Sequence, residues 1–129
     1  MAVEELPPQT EPTIRVIAMP ADTNSNGDIF GGWLVSQMDL AGGTLASRTS
    51  RGRIVTVKID SMVFLNPVHV GDEVSIYTRL LGVGRTSMKI DIAAWSRTRE
   101  CDSSVKVTEG QFTYVAIDKN RKPRAVNPS

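Results

Sequence analysis

The sequence predicts an α+β fold in which one long helix lies against an antiparallel sheet, and three observations carry that expectation. An apolar stripe of helical period occurs in one stretch, after Gly31-Gly32; β-branched segments of alternating period follow it; and the connections between those segments are short and rich in turn residues. The expected order is a strand, the helix and then four strands, with the strands from Glu73 onward forming an antiparallel meander.

Residues 1–12 hold three prolines and three glutamates. Such a segment buries little and is expected to be a mobile arm ahead of a single domain over 13–118. Ile14 to Met19 reads as a first strand, stopped by Pro20. Asp22 to Asp28 is dense in residues that bond their own backbone or tolerate positive φ, so it reads as a compact loop. Leu34, Met38, Ala41 and Leu45 then draw one apolar stripe down a helix of about four turns, ending at Ser50-Arg51-Gly52, where the glycine suits a left-handed cap.

Beyond the helix, Ile54 to Asp60 places Val55, Val57 and Ile59 on one face and Thr56, Lys58 and Asp60 on the other. Met62 to Val70 is apolar but broken by Asn66-Pro67, and Gly71-Asp72 supplies a turn. Strands follow over Glu73 to Leu81, Ser87 to Arg99 and Ser104 to Asp118, the last with a bulge expected at Gly110. Residues 119–129 form a polar tail with clustered basic side chains.

Fifteen Lys+Arg against fourteen Asp+Glu leave a formal charge of +1, far from the strongly basic face of a nucleic-acid binder. One cysteine, Cys101, excludes an internal disulfide, and with one histidine, His69, it leaves too few soft ligands for a catalytic metal. No apolar run approaches the roughly 18 residues of a membrane span, and MAVEELPPQTEP lacks the basic and apolar regions of a secretion signal. A cytoplasmic protein with no membrane partner is expected.

Asp39 lies off the apolar stripe, on the side of Val35, Gly42, Gly43 and Ala46. Two glycines inside a helix cost about 1 kcal/mol each relative to alanine, so they suggest that a ligand or another chain approaches the backbone beside the carboxylate. A solvated acid on a helix that frays early at its glycines accounts for the same residues, and composition alone leaves both readings standing.

The run Met19-Pro20-Ala21-Asp22-Thr23-Asn24, then Asn26-Gly27-Asp28-Ile29-Phe30-Gly31-Gly32-Trp33 and Met38-Asp39, resembles the opening of acyl-CoA thioesterases of the hotdog fold, in particular the small bacterial YciA-like group. The similarity continues through Ser61-Met62-Val63-Phe64, Pro67, Val70-Gly71-Asp72 and Gly84-Arg85-Thr86-Ser87 to about residue 118. The resemblance implies a central helix wrapped by a curved sheet of five to six strands, and a homodimer with two active sites at its interface, commonly three dimers to a hexamer. The implied substrate is an acyl-CoA, hydrolysed to free acid and coenzyme A without a metal or separate cofactor. Asn24 matches the family's catalytic asparagine and Asp39 its catalytic acid.

Thioester hydrolysis needs an activated water or a carboxylate nucleophile, with donors aimed at the developing oxyanion. Unpaired N–H groups around Gly31, Gly32 and Trp33 would supply the donors at the positive end of the helix dipole. Gly32 and Asp39 are seven residues apart, which is about 10 Å of helix, whereas both must approach within roughly 3 Å of one reacting centre. A composite site is therefore expected, with the amides and Asn24 from one chain and Asp39, as general base or nucleophile, from its partner.

The family's coenzyme A contacts carry over to Val57, Lys58 and Ile59 and to Thr86, Ser87 and Met88, with Lys58, Arg85 and Lys89 able to approach phosphates. Taken singly, these are equally ordinary exposed strand residues. The rival functions are a hotdog acyl-CoA sensor, which would need no Asp39, and a dehydratase, whose helix-adjacent histidine is missing.

Overall fold

The structure, a computed structural model, describes residues 6–127. Residues 1–5 of the expected arm and 128–129 of the tail lie outside them. Five strands form one antiparallel sheet: β1 (Ile14–Ile17), β2 (Ile54–Phe64), β3 (Glu73–Val83), β4 (Ser87–Arg97) and β5 (Val105–Ala116), in the order β1-β3-β4-β5-β2. One helix, α1 (Gly31–Ser50), packs across it. This is the hotdog arrangement, and the sheet has five strands.

The core lies between the helix and one face of the sheet. Leu34, Met38 and Ala41 of α1 are buried with Val74 and Ile76 of β3, Met88, Ile90, Ile92 and Ala94 of β4, and Phe112, Tyr114 and Ala116 of β5. The period-2 alternation of β4 explains its contribution, because every second residue meets the helix. Leu45 only packs against this core, and Gly42 and Ala46 are buried in it, so the apolar face of α1 is rotated toward the side expected for Asp39. Gly42 provides the reason: a Cβ there would collide with the Tyr114 hydroxyl and Ile92 Cδ1. The group that needs the close approach is the chain's own sheet.

The helix ends one residue earlier than its glycine suggests. Arg51, at φ 57°, takes the left-handed cap, and the Gly52 N–H donates to Ser47 O at 3.2 Å. Arg124 then lies against Gly52 and donates to Ser50 O at 3.0 Å, to Ile117 O at 3.1 Å and to Ala125 O at 3.1 Å. The polar stretch after β5 thus turns back, with Val126 buried and its N–H bonded to Arg85 O at 2.9 Å.

Bulges break the simple alternation of the strands. Thr56 faces Tyr114 while Lys58 faces Thr113, so Val57 is the extra residue in β2. A second irregularity between Asp60 and Val63 leaves Ser61 at φ 55°. Gly110 is in register opposite Ile92 and is not a bulge; it makes room for Met62, whose Sδ would lie 3.2 Å from a Cβ there. The β5 irregularity falls at Val107, between Lys106 and Thr108.

At the other side of the sheet, Pro8 and Thr10 line a groove with Tyr77, Arg79, Asp91 and Ala93. This segment of the expected arm therefore lies over the outer face of β3 and β4.

Candidate active site

Asp39 sits near the middle of α1 at an open cleft of about 490 Å³, shared with Gly43, Thr44, Arg48, Ile54, Thr56 and Tyr114. One carboxylate oxygen is held twice. Thr56 Oγ1 donates to Oδ1 at 2.7 Å and the Tyr114 hydroxyl donates to the same atom at 3.0 Å, with Asp39 O at 3.2 Å from that hydroxyl. Oδ2 accepts no hydrogen bond from the described residues, so it is the oxygen with lone pairs to offer. Burial, then the charge of Asp39, and then their hydrogen bond push the Tyr114 phenol well above its ordinary value, so it keeps its proton and remains a donor.

Neither partner of Asp39 was evident from the sequence. Strict alternation puts Thr56 on the same face as Lys58 and Asp60, but the Val57 bulge turns Thr56 to the helix side, opposite Tyr114, and leaves Lys58 opposite Thr113 on the outer face. The cue for Tyr114 was Gly42, since a glycine in mid-helix marks a close contact whose origin only the fold reveals.

The loop and helix start form a second cluster. Asn24 N donates to Asp28 O at 2.7 Å, and Asn24 Oδ1 accepts from Asn26 N at 2.8 Å and Asp28 N at 3.1 Å, with Gly27 at φ 82° completing the turn. The side-chain oxygen of Asn24 is therefore spent, which leaves its NH₂ group as the part that can meet a ligand. Phe30, the first residue before the helix, makes no side-chain cap. Its carbonyl takes the N–H of Trp33 at 3.1 Å and of Leu34 at 3.3 Å, so the open donors are those of Gly31 and Gly32. Nothing lies within 4 Å of the Cβ position of Gly32.

The two clusters are not brought together within the chain. Gly31 lines a different cleft, of about 350 Å³, with Ile29, Leu34, Phe64, Leu65 and Pro67. Trp33 packs against the core, whereas Phe30 is half exposed.

The residues expected to meet coenzyme A differ in what they can offer. Val57, Lys58 and Ile59 lie on β2, which pairs with β5 on one side and ends the sheet on the other, and Lys58 meets Asp60 at 3.4 Å. Arg85 is exposed and Thr86 half-buried at the β3–β4 turn. Ser87 tucks its hydroxyl beneath Gly84, whose N–H donates to Ser87 O at 2.8 Å. Met88 has no exposed surface and is paired on both sides, with Val83 and with Tyr114, so its side chain belongs to the core.

His69 and Cys101 line a separate cleft beside Asp72 and Ser96. Asp72 is buried and accepts from His69 N at 2.9 Å and Ser96 Oγ at 3.1 Å, which closes the turn before β3. That cluster is a turn lock.

A helix wrapped by a five-stranded antiparallel sheet, with a carboxylate held at a cleft beside it and open amides at the helix start, defines a hotdog-fold protein of the thioesterase type. The family model described as the thioesterase superfamily matches residues 26–102. An uncharacterised acyl-CoA thioester hydrolase of Zymomonas mobilis is 53% identical over 125 residues, covering 97% of this chain and 84% of the relative. The acyl-CoA thioester hydrolase YciA of Escherichia coli is 49% identical over 122 residues, covering 92% of each. Among solved structures, the hexameric thioesterase y2039 of Yersinia pestis superimposes with a TM-score of 0.87 at 48% identity, covering 95% of this chain and 99% of that one. The chain belongs to the thioesterase superfamily.

Proposed function

We propose that the protein is an acyl-CoA thioester hydrolase whose working carboxylate is Asp39. The observation that carries this reading is the asymmetric holding of that side chain: two donors on Oδ1 and none among the described residues on Oδ2. A carboxylate fixed in this way presents one basic oxygen to a cleft at little further entropic cost. Oδ2 either takes a proton from the attacking water or itself attacks the thioester carbon; coenzyme A leaves as the thiolate in both routes, and in the second a water then hydrolyses the mixed anhydride to release the acid and restore Asp39.

The donors for the oxyanion are the N–H groups of Gly31 and Gly32, joined by the Asn24 NH₂ group. Because the Asn24 oxygen is committed to its own loop, its role is to donate to the thioester oxygen, and it does not accept from water. Gly31 and Asp39 border separate clefts, which supports a site completed by a second copy of the chain. The free edge of β2 supports the same reading. Val57, Ile59, Val63 and Phe64 along it are each between 42% and 54% exposed, an apolar edge of the kind that a partner strand covers. The hexameric y2039 thioesterase of Yersinia pestis agrees with such an assembly, and a homodimer that further assembles into a hexamer is part of this proposal.

For coenzyme A, the Val57-Lys58-Ile59 edge provides main-chain groups for the pantetheine amides, while Lys58, Arg85 and Lys89 are exposed cations for its phosphates. Thr86 and Ser87 lie beside them, and Met88 contributes packing behind. The reading implies no metal and no cofactor beyond the coenzyme A of the substrate. Among the described residues no helix is long and apolar enough to cross a membrane.

The test is release of free thiol from a panel of acyl-CoA substrates by the wild type and by Asp39→Asn, which retains an acceptor for Thr56 and Tyr114. Turnover by the wild type and a loss of at least about a hundredfold in the variant are expected. Tight binding of acyl-CoA without turnover would replace the hydrolase by a binding protein.

A further inference from the structure

Resting on the hydrolase reading, we propose that Tyr114 is a positioning residue for the reaction, its hydroxyl holding the Asp39 carboxylate in the orientation that turns Oδ2 into the cleft. The phenol has one hydrogen and two oxygens within reach, Oδ1 at 3.0 Å and the main-chain O of the same residue at 3.2 Å. The shorter, charged acceptor takes the stronger share.

Tyr114 suits this role because it is immobile. It has no exposed surface, and its ring stacks on Phe112 with centroids 6.4 Å apart and planes 14° from parallel. Thr56, the other donor, is exposed beside a bulge on the edge strand, so the rigid anchor of the carboxylate is the phenol. The polar side chains that line the cleft with Asp39 are Thr44, Ser47 and Arg48 from α1, Thr56 from β2 and Tyr114 from β5. Of these, Thr56 and Tyr114 bond it.

Packing alone does not explain the hydroxyl. Phenylalanine would fill the same layer without the hydroxyl's contacts to Asp39. Gly42 admits both that hydroxyl and Ile92 Cδ1, and the hydroxyl reaches the carboxylate and the main-chain oxygen of Asp39. A buried hydroxyl that gives its hydrogen to a reactive carboxylate is characteristic of a functional contact.

The experiment is steady-state thiol release from acyl-CoA by the full oligomeric protein carrying Tyr114→Phe, Asp39→Asn or both. Tyr114→Phe is expected to lower kcat about 10- to 100-fold with KM within about twofold and the thermal midpoint within a few degrees. In the Asp39→Asn background the same change is expected to cause no further loss, because it acts through the group already removed. Unchanged kcat in Tyr114→Phe, or a loss that persists in full without the carboxylate, overturns the positioning role. Should Tyr114→Phe be too unstable to assay, 3-fluorotyrosine at position 114, which keeps the ring and the hydroxyl and alters how strongly that hydroxyl donates, is read by the same background criterion: a change in kcat that vanishes in Asp39→Asn supports the role, and an unchanged kcat overturns it. Full turnover by Asp39→Asn alone would instead remove Asp39 from the reaction, a separate failure that the single variant reveals.

Discussion

The Tyr114 hydroxyl fills the space that a Cβ on Gly42 would occupy. Gly42→Ala must therefore displace Tyr114 or Ile92 within a packed core, at about 1–3 kcal/mol, and regains about 1 kcal/mol of helix propensity. Net destabilisation is expected. At Gly43 a Cβ would meet Ile54 Cδ1 at 3.6 Å, an ordinary contact, so Gly43→Ala is expected to gain up to about 1 kcal/mol. Denaturant midpoints at one fixed protein concentration check the opposite signs.

Arg124 is expected to be a structural residue despite its place in a basic run. It ties three carbonyls, those of Ser50, Ile117 and Ala125, to a planar donor fork that lysine cannot reproduce. Arg124→Ala and Arg124→Lys should both lower stability, the former by about 1–3 kcal/mol, while Arg121→Ala on the exposed turn should stay within about 0.5 kcal/mol of wild type. Urea denaturation of the three variants provides the comparison.

Asp91 makes stability depend on pH. Burial first, and then the charge of Glu109, raise its carboxyl above the ordinary 3.8, against opposing pulls from Arg79 and Lys106. A carboxyl raised in the folded state favours folding while protonated, so its contribution is present below the unfolded value and lost as the pH rises through the folded one. Ionised Asp91 therefore costs stability at neutral pH. Asp91→Asn is expected to be more stable than wild type at pH 7, with the difference closing as the pH falls toward 3, read from thermal midpoints across that range.

Long periodic elements were legible in the sequence because burial enforces their period. The helix over Gly31–Ser50, the meander from Glu73 and the buried alternation of β4 follow from that rule. What escaped was set by single residues of register. The Val57 bulge reverses the side on which Thr56 lies, and no alternation pattern reports an inserted residue. Tyr114 reaches Asp39 from 75 positions away, a contact that only the closed sheet creates. Met88, which the resemblance implies as a coenzyme A contact, sits at an alternating position that places its side chain in the core. Asn24 and Asp39 were named through the family resemblance, while the turn chemistry of Asn24 was readable directly and the structure displays it.

A site shared between two protomers is tested most directly by mixing two inactive variants. Asn24→Asp keeps the oxygen that closes its loop and deletes the NH₂ donor, while Asp39→Asn deletes the base. Refolded together in equal amounts, half the dimers would be mixed, and each mixed dimer would hold one intact site assembled from the unaltered halves. Recovery of roughly one quarter of wild-type thiol release is the expected result. No recovery, although mixed dimers are demonstrably present, would place both residues of each site on one chain and contradict the account.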